Sequence, residues 1–290
     1  MTVALFVEQL MNGVQFGVTL FLMSAGLTLV FGIMNMINLT HGTIYMAGAF
    51  VAATVAHATG SFLLGLVSGV SGAALLGLGL EAVILRRFYA RSHLDQVLVT
   101  FGLILVFSDL FRMIWGPVAL SMPMPQALSG FVAIFPGVDY PVYRLVILLA
   151  GLAVAVALYF LVSHSRAGMW VRAGSSDRQT AQALGVNVRL LFGGVFAVGS
   201  AFAGLAGVMA APLTAVQIGM GDPVLILALV VTVVGGVGSI RGAFLAALMI
   251  GIIDTFGRVL LPAALGSMLI FILMAVILAL RPRGLFVVHG

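Results

Sequence analysis

Neither cysteine nor lysine occurs anywhere in this sequence. Without cysteine there are no disulfides and no thiolate metal sites. Without lysine there is no phosphate-binding loop of the form G-x-x-x-x-G-K-[ST], which needs the ammonium group to neutralise the transferring phosphate. If ATP drives anything here, another polypeptide hydrolyses it. Charge is scarce as well: charged residues make up 7% of the 290, and residues 9–80 carry none. That is too little charge to clothe a water-facing globule, so water is not the main solvent of this chain.

What is present is mostly apolar, 62% hydrophobic with a mean hydropathy of +1.26. A hydrocarbon core takes roughly 20 apolar residues per helix. Apolar blocks separated by Gly, Pro and Arg clusters predict spans near 11–33, 42–59, 62–85, 95–115, 142–163, 190–211, 223–238, 243–259 and 264–280. A membrane β-barrel would instead alternate apolar and polar residues in strands of about ten. The expected fold class is an all-α integral membrane protein: a polytopic bundle of eight to ten transmembrane helices with broken or re-entrant segments, residues 1–290 forming a single transmembrane domain. The first apolar block lacks a basic leader and an early small-residue cleavage site, so it reads as a retained helix.

All 13 basic residues are arginine. Placing the segments near 86–93 and 164–189 and the C-terminus in the cytoplasm leaves only Arg112, Arg144 and Arg258 outside, as the positive-inside bias expects. The pI near 10.4 then reports topology, not affinity for nucleic acid. Asp109 precedes Arg112 by three residues and Asp254 precedes Arg258 by four, spacings that predict ion pairs on a helix surface. Glu81 stands just before Arg86 and Arg87, at the cytoplasmic interface. Small residues recur at every fourth position at Gly65, Gly69, Ala73 and Gly77, and again at Gly199, Ala203, Gly207 and Ala211. Such stripes allow close helix packing, inside the bundle or at a dimer seam.

Two segments interrupt the apolar pattern. The first runs from Gly32 to Thr43 through Asn35, Asn38, Thr40, His41 and Gly42; the second runs from Gly235 to Gly242 through Gly236, Val237, Gly238, Ser239, Ile240 and Arg241. Broken helices at membrane depth survive where the freed backbone faces protein or a water-filled cavity, and in transporters they build the substrate path. The competing reading is an ordinary interfacial turn. Asn35, Asn38, Thr40 and His41 carry more hydrogen-bonding capacity than a turn requires, which favours the path; for the second segment Arg241 fits a turn equally well. No Cys, Asp or Glu near His41 completes a metal set, so no metal and no cofactor is assigned. No nucleophile and base cluster suggests an enzyme.

Residues 164–189 are long and polar for a connection between spans. Ser176, Asp177, Arg178 and Gln179 form the capping pattern S-x-x-Q, and Gly185 offers a left-handed stop. A two-turn helix is expected from Asp177 to Leu184, with Ala181 and Leu184 on one face available to a soluble partner.

In this order and spacing the motifs identify a resemblance to the Liv-type branched-chain amino-acid permeases, within a larger family that also serves ribose-type sugars and urea. The resemblance runs over nearly the whole chain. It is carried by Gly26-Leu27-Thr28-Leu29-Val30-Phe31-Gly32, Ile37-Asn38-Leu39-Thr40-His41-Gly42 and Met46-Ala47-Gly48-Ala49. Arg172-Ala173, Ala181, Leu184-Gly185-Val186-Asn187 and Gly235-Gly236-Val237-Gly238-Ser239 complete it. The resemblance implies the permease subunit of an ATP-binding cassette importer of the bacterial inner membrane, itself not an enzyme. Its implied partners are two cytoplasmic ATPases, a second permease subunit and a periplasmic substrate-binding protein. Asn35, Asn38, Thr40, His41, Gly42, Gly235, Gly236, Gly238 and Ser239 would line the translocation path, and Asp177, Arg178, Ala181, Leu184 and Gly185 would couple to the ATPase. Two positions depart from the amino-acid members: Thr43 replaces a frequent acidic residue, and Leu227 replaces a Lys found in some. They leave amides, urea and small carboxylates open beside amino acids, and a self-sufficient secondary transporter or channel as the other class.

Overall fold

The computed structural model describes residues 2–286. The long helices are α1 (Val3–Met34), α2 (His41–Thr59), α3 (Phe62–Val83), α4 (His93–Trp115), α5 (Val142–His164), α8 (Val188–Ala210), α9 (Gly221–Gly235), α10 (Ile240–Leu260) and α11 (Ala263–Leu280). Two short helices, α6 (Arg166–Ser176) and α7 (Arg178–Ala183), join α5 to α8. Six helices, α1, α3, α4, α5, α8 and α10, are long and apolar enough to cross a membrane. Each apolar block of the sequence thus became a helix, because every backbone group inside a bilayer must be paired within its own segment.

Burial grades the helices. α1 has 32 residues, about 48 Å at 1.5 Å per residue, and is buried over most of its length beyond Gly13. α2 is buried without interruption from His41 to Phe50. These two, with α8, α9 and α10, make the centre; α4 buries only Gln96, Thr100 and Phe111. The small-residue stripes face inward. The buried residues of α3 are Gly65, Gly69, Ala73, Gly77, Leu80 and Glu81, and a methyl group on Gly69 would stand 2.6 Å from the Gly48 carbonyl of α2. Ala203 of α8 and Ala211, which caps it, are likewise buried. The stripe therefore seals the bundle itself.

The expected ion pairs form: Arg112 to Asp109 at 3.2 Å and Arg258 to Asp254 at 2.8 Å. Glu81 is fully buried, held by Arg86 at 2.7 Å and by the Tyr89 hydroxyl at 2.6 Å. Arg86, Arg87, Arg91, Arg166, Arg172, Arg189, Arg241, Arg281 and Arg283 lie on the turns and helix ends at one end of the bundle. At the other end Arg144 donates to the Asn12 side chain, which places the start of α1 opposite the arginine-rich end.

The loop between α4 and α5 is more ordered than its proline content suggests. It contains an antiparallel hairpin, β1 (Phe131–Phe135) and β2 (Val138–Pro141), pairing Val132 with Tyr140 and Ala133 with Asp139. Pro136 and Gly137 make the turn, Gly137 at φ 82°. That is the Pro-Gly chemistry of a type II turn, flanked by β-branched and aromatic residues.

Candidate translocation site

The first broken segment is re-entrant. α1 ends at Met34, and Asn35 takes a left-handed conformation, φ 51°, with its N–H donating to the Phe31 carbonyl at 2.9 Å. Its side chain is exposed, so Asn35 serves to turn the chain. Residues 36–40 then climb back along α1 until His41 faces Met23, about three helical turns before the end of that helix. α2 therefore begins inside the bundle. α9 also begins there: a methyl group on Gly42 would stand 3.0 Å from the Gly221 carbonyl. The N-termini of two shortened helices thus meet, one from each half of the chain.

Around this meeting point Asn38, Thr40 and His41 are completely buried. The Asn38 Oδ1 accepts from the Thr40 N–H at 3.0 Å and from its hydroxyl at 2.5 Å. Because Oδ1 is thereby committed as an acceptor, the donor Nδ2 is left over, and it has no partner among the described residues. His41 Nε2 lies 3.2 Å from the Met23 carbonyl. A carbonyl only accepts, so in the neutral ring Nε2 carries the proton and Nδ1 keeps a lone pair. That Nδ1 is also buried and unpartnered. One segment thus holds two amide donors and one imidazole acceptor without partners among the described residues, a concentration of unmet hydrogen-bonding capacity where most buried polar groups are paired.

Two neighbours hold the segment in place. Gly26 of α1 makes room for it, since a methyl group there would stand 2.8 Å from His41 Nε2. Gln96 of α4 accepts from the Ile37 N–H at 3.2 Å and donates to the Phe88 and Arg91 carbonyls at 3.2 and 3.4 Å. Gln96 thereby ties the re-entrant segment to the α3–α4 turn. Sequence reading missed it because its partners lie far away along the chain; a lone Gln in an apolar helix was the available signal.

The second segment lies apart from this meeting point. Gly235 ends α9, Gly236 and Gly238 turn the chain at φ 98° and 79°, and Ser239 caps α10 by accepting from the Gly242 N–H at 3.0 Å. The turn lies at the arginine-rich end, where Leu285 N–H donates to the Val234 carbonyl at 2.8 Å. It comes close to the first segment at Gly32, where a methyl group would stand 2.5 Å from the Gly238 Cα. One helical turn deeper, Thr28 and Thr232 hydroxyls meet at 3.3 Å. Thr232 already donates to the Ala228 carbonyl at 2.8 Å, so Thr28 is the donor between them.

The connection between α5 and α8 differs from the expectation in three ways. An additional helix, α6, precedes the expected one. The cap of α7 is Asp177, which accepts from the Gln179 and Thr180 N–H groups at 2.9 and 3.1 Å, and Ser176 instead ends α6. A carboxylate held in an extended conformation between two helices is the stronger acceptor for both amides. Third, Ala181 and Leu184 do not share an accessible face: Ala181 is 3% exposed and Leu184 79%. Ala181 packs into the core while Leu184 points away from it. Gly185 does end α7 in the left-handed region, φ 87°, with Val186 N–H donating to the Ala181 carbonyl at 3.0 Å. Arg178 opens α7; its side chain lies outside the described residues.

The family model described as branched-chain amino acid transport system / permease component matches residues 9–278. The chain is 28% identical to the high-affinity branched-chain amino acid transport system permease protein LivH of Escherichia coli K12, over 97% of this chain and 95% of that one. It is 27% identical to the corresponding BraD protein of Pseudomonas aeruginosa, over 97% and 95%. A probable LivH of Methanocaldococcus jannaschii is 24% identical over 92% and 88%. No solved structure matches the chain. With the match extending across all nine long helices, this multi-pass membrane protein belongs to the family of branched-chain amino acid transport system permease components.

Proposed function

We propose that this chain is the membrane-spanning permease subunit of an ATP-binding cassette importer, carrying branched-chain or closely related amino acids inward across the bacterial inner membrane. The substrate is taken from the names of its relatives. The observation that carries the path is the meeting of α2 and α9 at Gly42 and Gly221 beside the unpartnered Asn38 Nδ2 and His41 Nδ1. Helix N-termini favour anionic groups. Together with the Asn38 donors they suit an α-carboxylate, and the His41 lone pair suits an α-ammonium. Thr40 fixes Asn38, Asn35 turns the chain into the site, and Gly235, Gly236, Gly238 and Ser239 form the floor against Gly32.

Two cytoplasmic ATPases, a second permease subunit and a periplasmic binding protein complete the assembly in this reading, with residues 1–290 acting as one permease domain, its C-terminus cytoplasmic. ATP is hydrolysed on the separate subunits, since the chain has no lysine for a phosphate loop. The segment 164–189 receives the ATPase: Asp177, Arg178 and Gly185 shape α7, Leu184 faces the partner, and the buried Ala181 passes movement to the core. α8 starts directly afterwards and reaches Gly199, which packs on Gly26 beside His41.

Reconstitution tests this. In liposomes the complete complex should take up leucine, isoleucine or valine when ATP and the binding protein are supplied, and this chain alone should neither hydrolyse ATP nor move solute. Uptake by the isolated chain under a proton gradient would favour a secondary transporter, and uptake of urea in place of amino acids would overturn the substrate.

A further inference from the structure

Between the second halves of α5 and the first turns of α10 lies a groove of about 760 Å³. Its walls are apolar, set by Leu152, Ala155, Phe244 and Leu245, and its arginine-rich end is closed by Tyr159 and Arg241. The Arg241 guanidinium stands 5.1 Å from the Tyr159 ring centre and 3.4 Å from its hydroxyl. Both side chains are exposed, and no carboxylate lies within ion-pair distance of Arg241 among the described residues. We infer that this groove is a binding site for an anionic phospholipid, its acyl chains against α5 and α10 and its phosphate on Arg241.

Three physical arguments fix the occupant. In a membrane-spanning chain the medium that meets an apolar groove is lipid, and leaving the groove empty would forfeit the dispersion contacts of its lining. An arginine without a carboxylate at the mouth of an apolar cleft between helices, where span meets interface, matches a phosphate headgroup in charge and in its forked donors. Tyr159 supplies the aromatic face that steadies the guanidinium and sits at headgroup depth. The site also touches the candidate path. Gly238 and Ser239 line the groove, and Gly238 packs against Gly32 at the end of α1. A bound lipid would therefore buttress the floor turn from the membrane side. This inference does not depend on which solute is carried.

Native mass spectrometry of the full-length chain in micelles with equimolar phosphatidylglycerol and phosphatidylcholine tests it. The wild type should retain phosphatidylglycerol over phosphatidylcholine by about five-fold, the factor expected for one arginine near an anionic surface. Arg241→Gln should abolish that preference and Arg241→Lys should keep most of it. Ala155→Trp, which fills the groove, should lower retention of both lipids, whereas Leu149→Trp, on the exposed face of α5, should not. Millimolar inorganic phosphate should leave the bound lipid in place; displacement would mean a free-anion site and overturn the inference. So would an unchanged preference in Arg241→Gln. Because Arg241 is a surface side chain, its variants keep the fold and decide the headgroup question even if Ala155→Trp fails to assemble.

Discussion

The chemistry of the candidate site rests on three neighbouring buried polar residues, Asn38, Thr40 and His41, and it can be stated atom by atom. Thr40 occupies the Asn38 carbonyl oxygen and the Met23 carbonyl occupies the His41 Nε2–H, so what each residue has left to offer follows from what it has already given. Asn38→Ala removes the two amide donors but also frees Thr40; His41→Ala removes an acceptor and leaves the Met23 carbonyl with its helical bond. Each should reduce uptake by about tenfold or more, the factor corresponding to 1.4 kcal/mol of a lost buried hydrogen bond. Assembly with the partner subunits should change much less, and co-purification measured beside uptake checks the separation. Normal uptake in both variants would remove these residues from the path. Thr28→Val sets the scale of a merely structural change, since hydrogen bonds between membrane helices average about 0.6 kcal/mol. Asn38 and His41 are both fully buried, and the polar density of the segment that holds them was legible in the sequence. Their partner Met23 was not, because only the fold brings a backbone carbonyl 18 residues away to the imidazole.

At the scale of one element, α7 is a six-residue helix that could not persist by propensity alone. Its ends hold it. The Asp177 carboxyl is lowered below its ordinary range, chiefly by the Thr180 hydroxyl and then by the Thr180 and Gln179 amides. A depressed carboxyl stabilises the folded form above its ordinary pKa, and the contribution is lost as pH falls through the lowered value. Amide protection at Gln179 and Thr180 should therefore decline only under clearly acidic conditions, should drop at neutral pH in Asp177→Ala, and should survive in Asp177→Asn, whose amide oxygen caps as well. Hydrogen exchange checks all three. The surface of α7 separates two further variants. Leu184→Asp should weaken ATPase co-purification while leaving the chain folded, because that side chain is already outside. Ala181→Glu should lower the yield of folded chain, since a charge placed in the core costs several kcal/mol when unpaired. An Ala181→Glu protein that folds well but loses only the ATPase would restore Ala181 to the docking face. The short helix and its glycine stop could be read from local pattern; which of its residues faces inward could not, because that depends on how α6 and α7 lie against α8.

For the molecule as a whole, the spans were the most legible feature, since the bilayer imposes helix length directly on composition. The structure adds what no hydropathy profile records: two of the long helices, α2 and α9, start inside the bundle, and the two interruptions of the apolar pattern are made of different things. The first is polar, and its Asn38 Nδ2 and His41 Nδ1 have no partner among the described residues. The second is glycine-rich because two positive φ angles and a close approach to Gly32 leave no space for side chains. Both look alike as breaks in an apolar run. Orientation follows from the ends. Nine arginines gather where α3, α5 and α11 finish and α8 and α10 start, and α1 begins at the opposite end beside Arg144. If the arginine-rich end is the cytoplasmic one, as the positive-inside bias expects, the start of α1 would face outward and the hairpin β1–β2 would be external. The native chain has no cysteine, so single cysteines report without background. Cysteine at the exposed positions Ser92 and Leu184 should react with an impermeant maleimide only after the cytoplasmic face is opened, and cysteine at Ser129 should react in intact cells. Thr2, which caps α1 at its exposed start, is the discriminating position. It should label from outside with Ser129; labelling of Thr2 together with Ser92 would mean that α1 does not cross, and the re-entrant path between α1 and α2 would have to be abandoned.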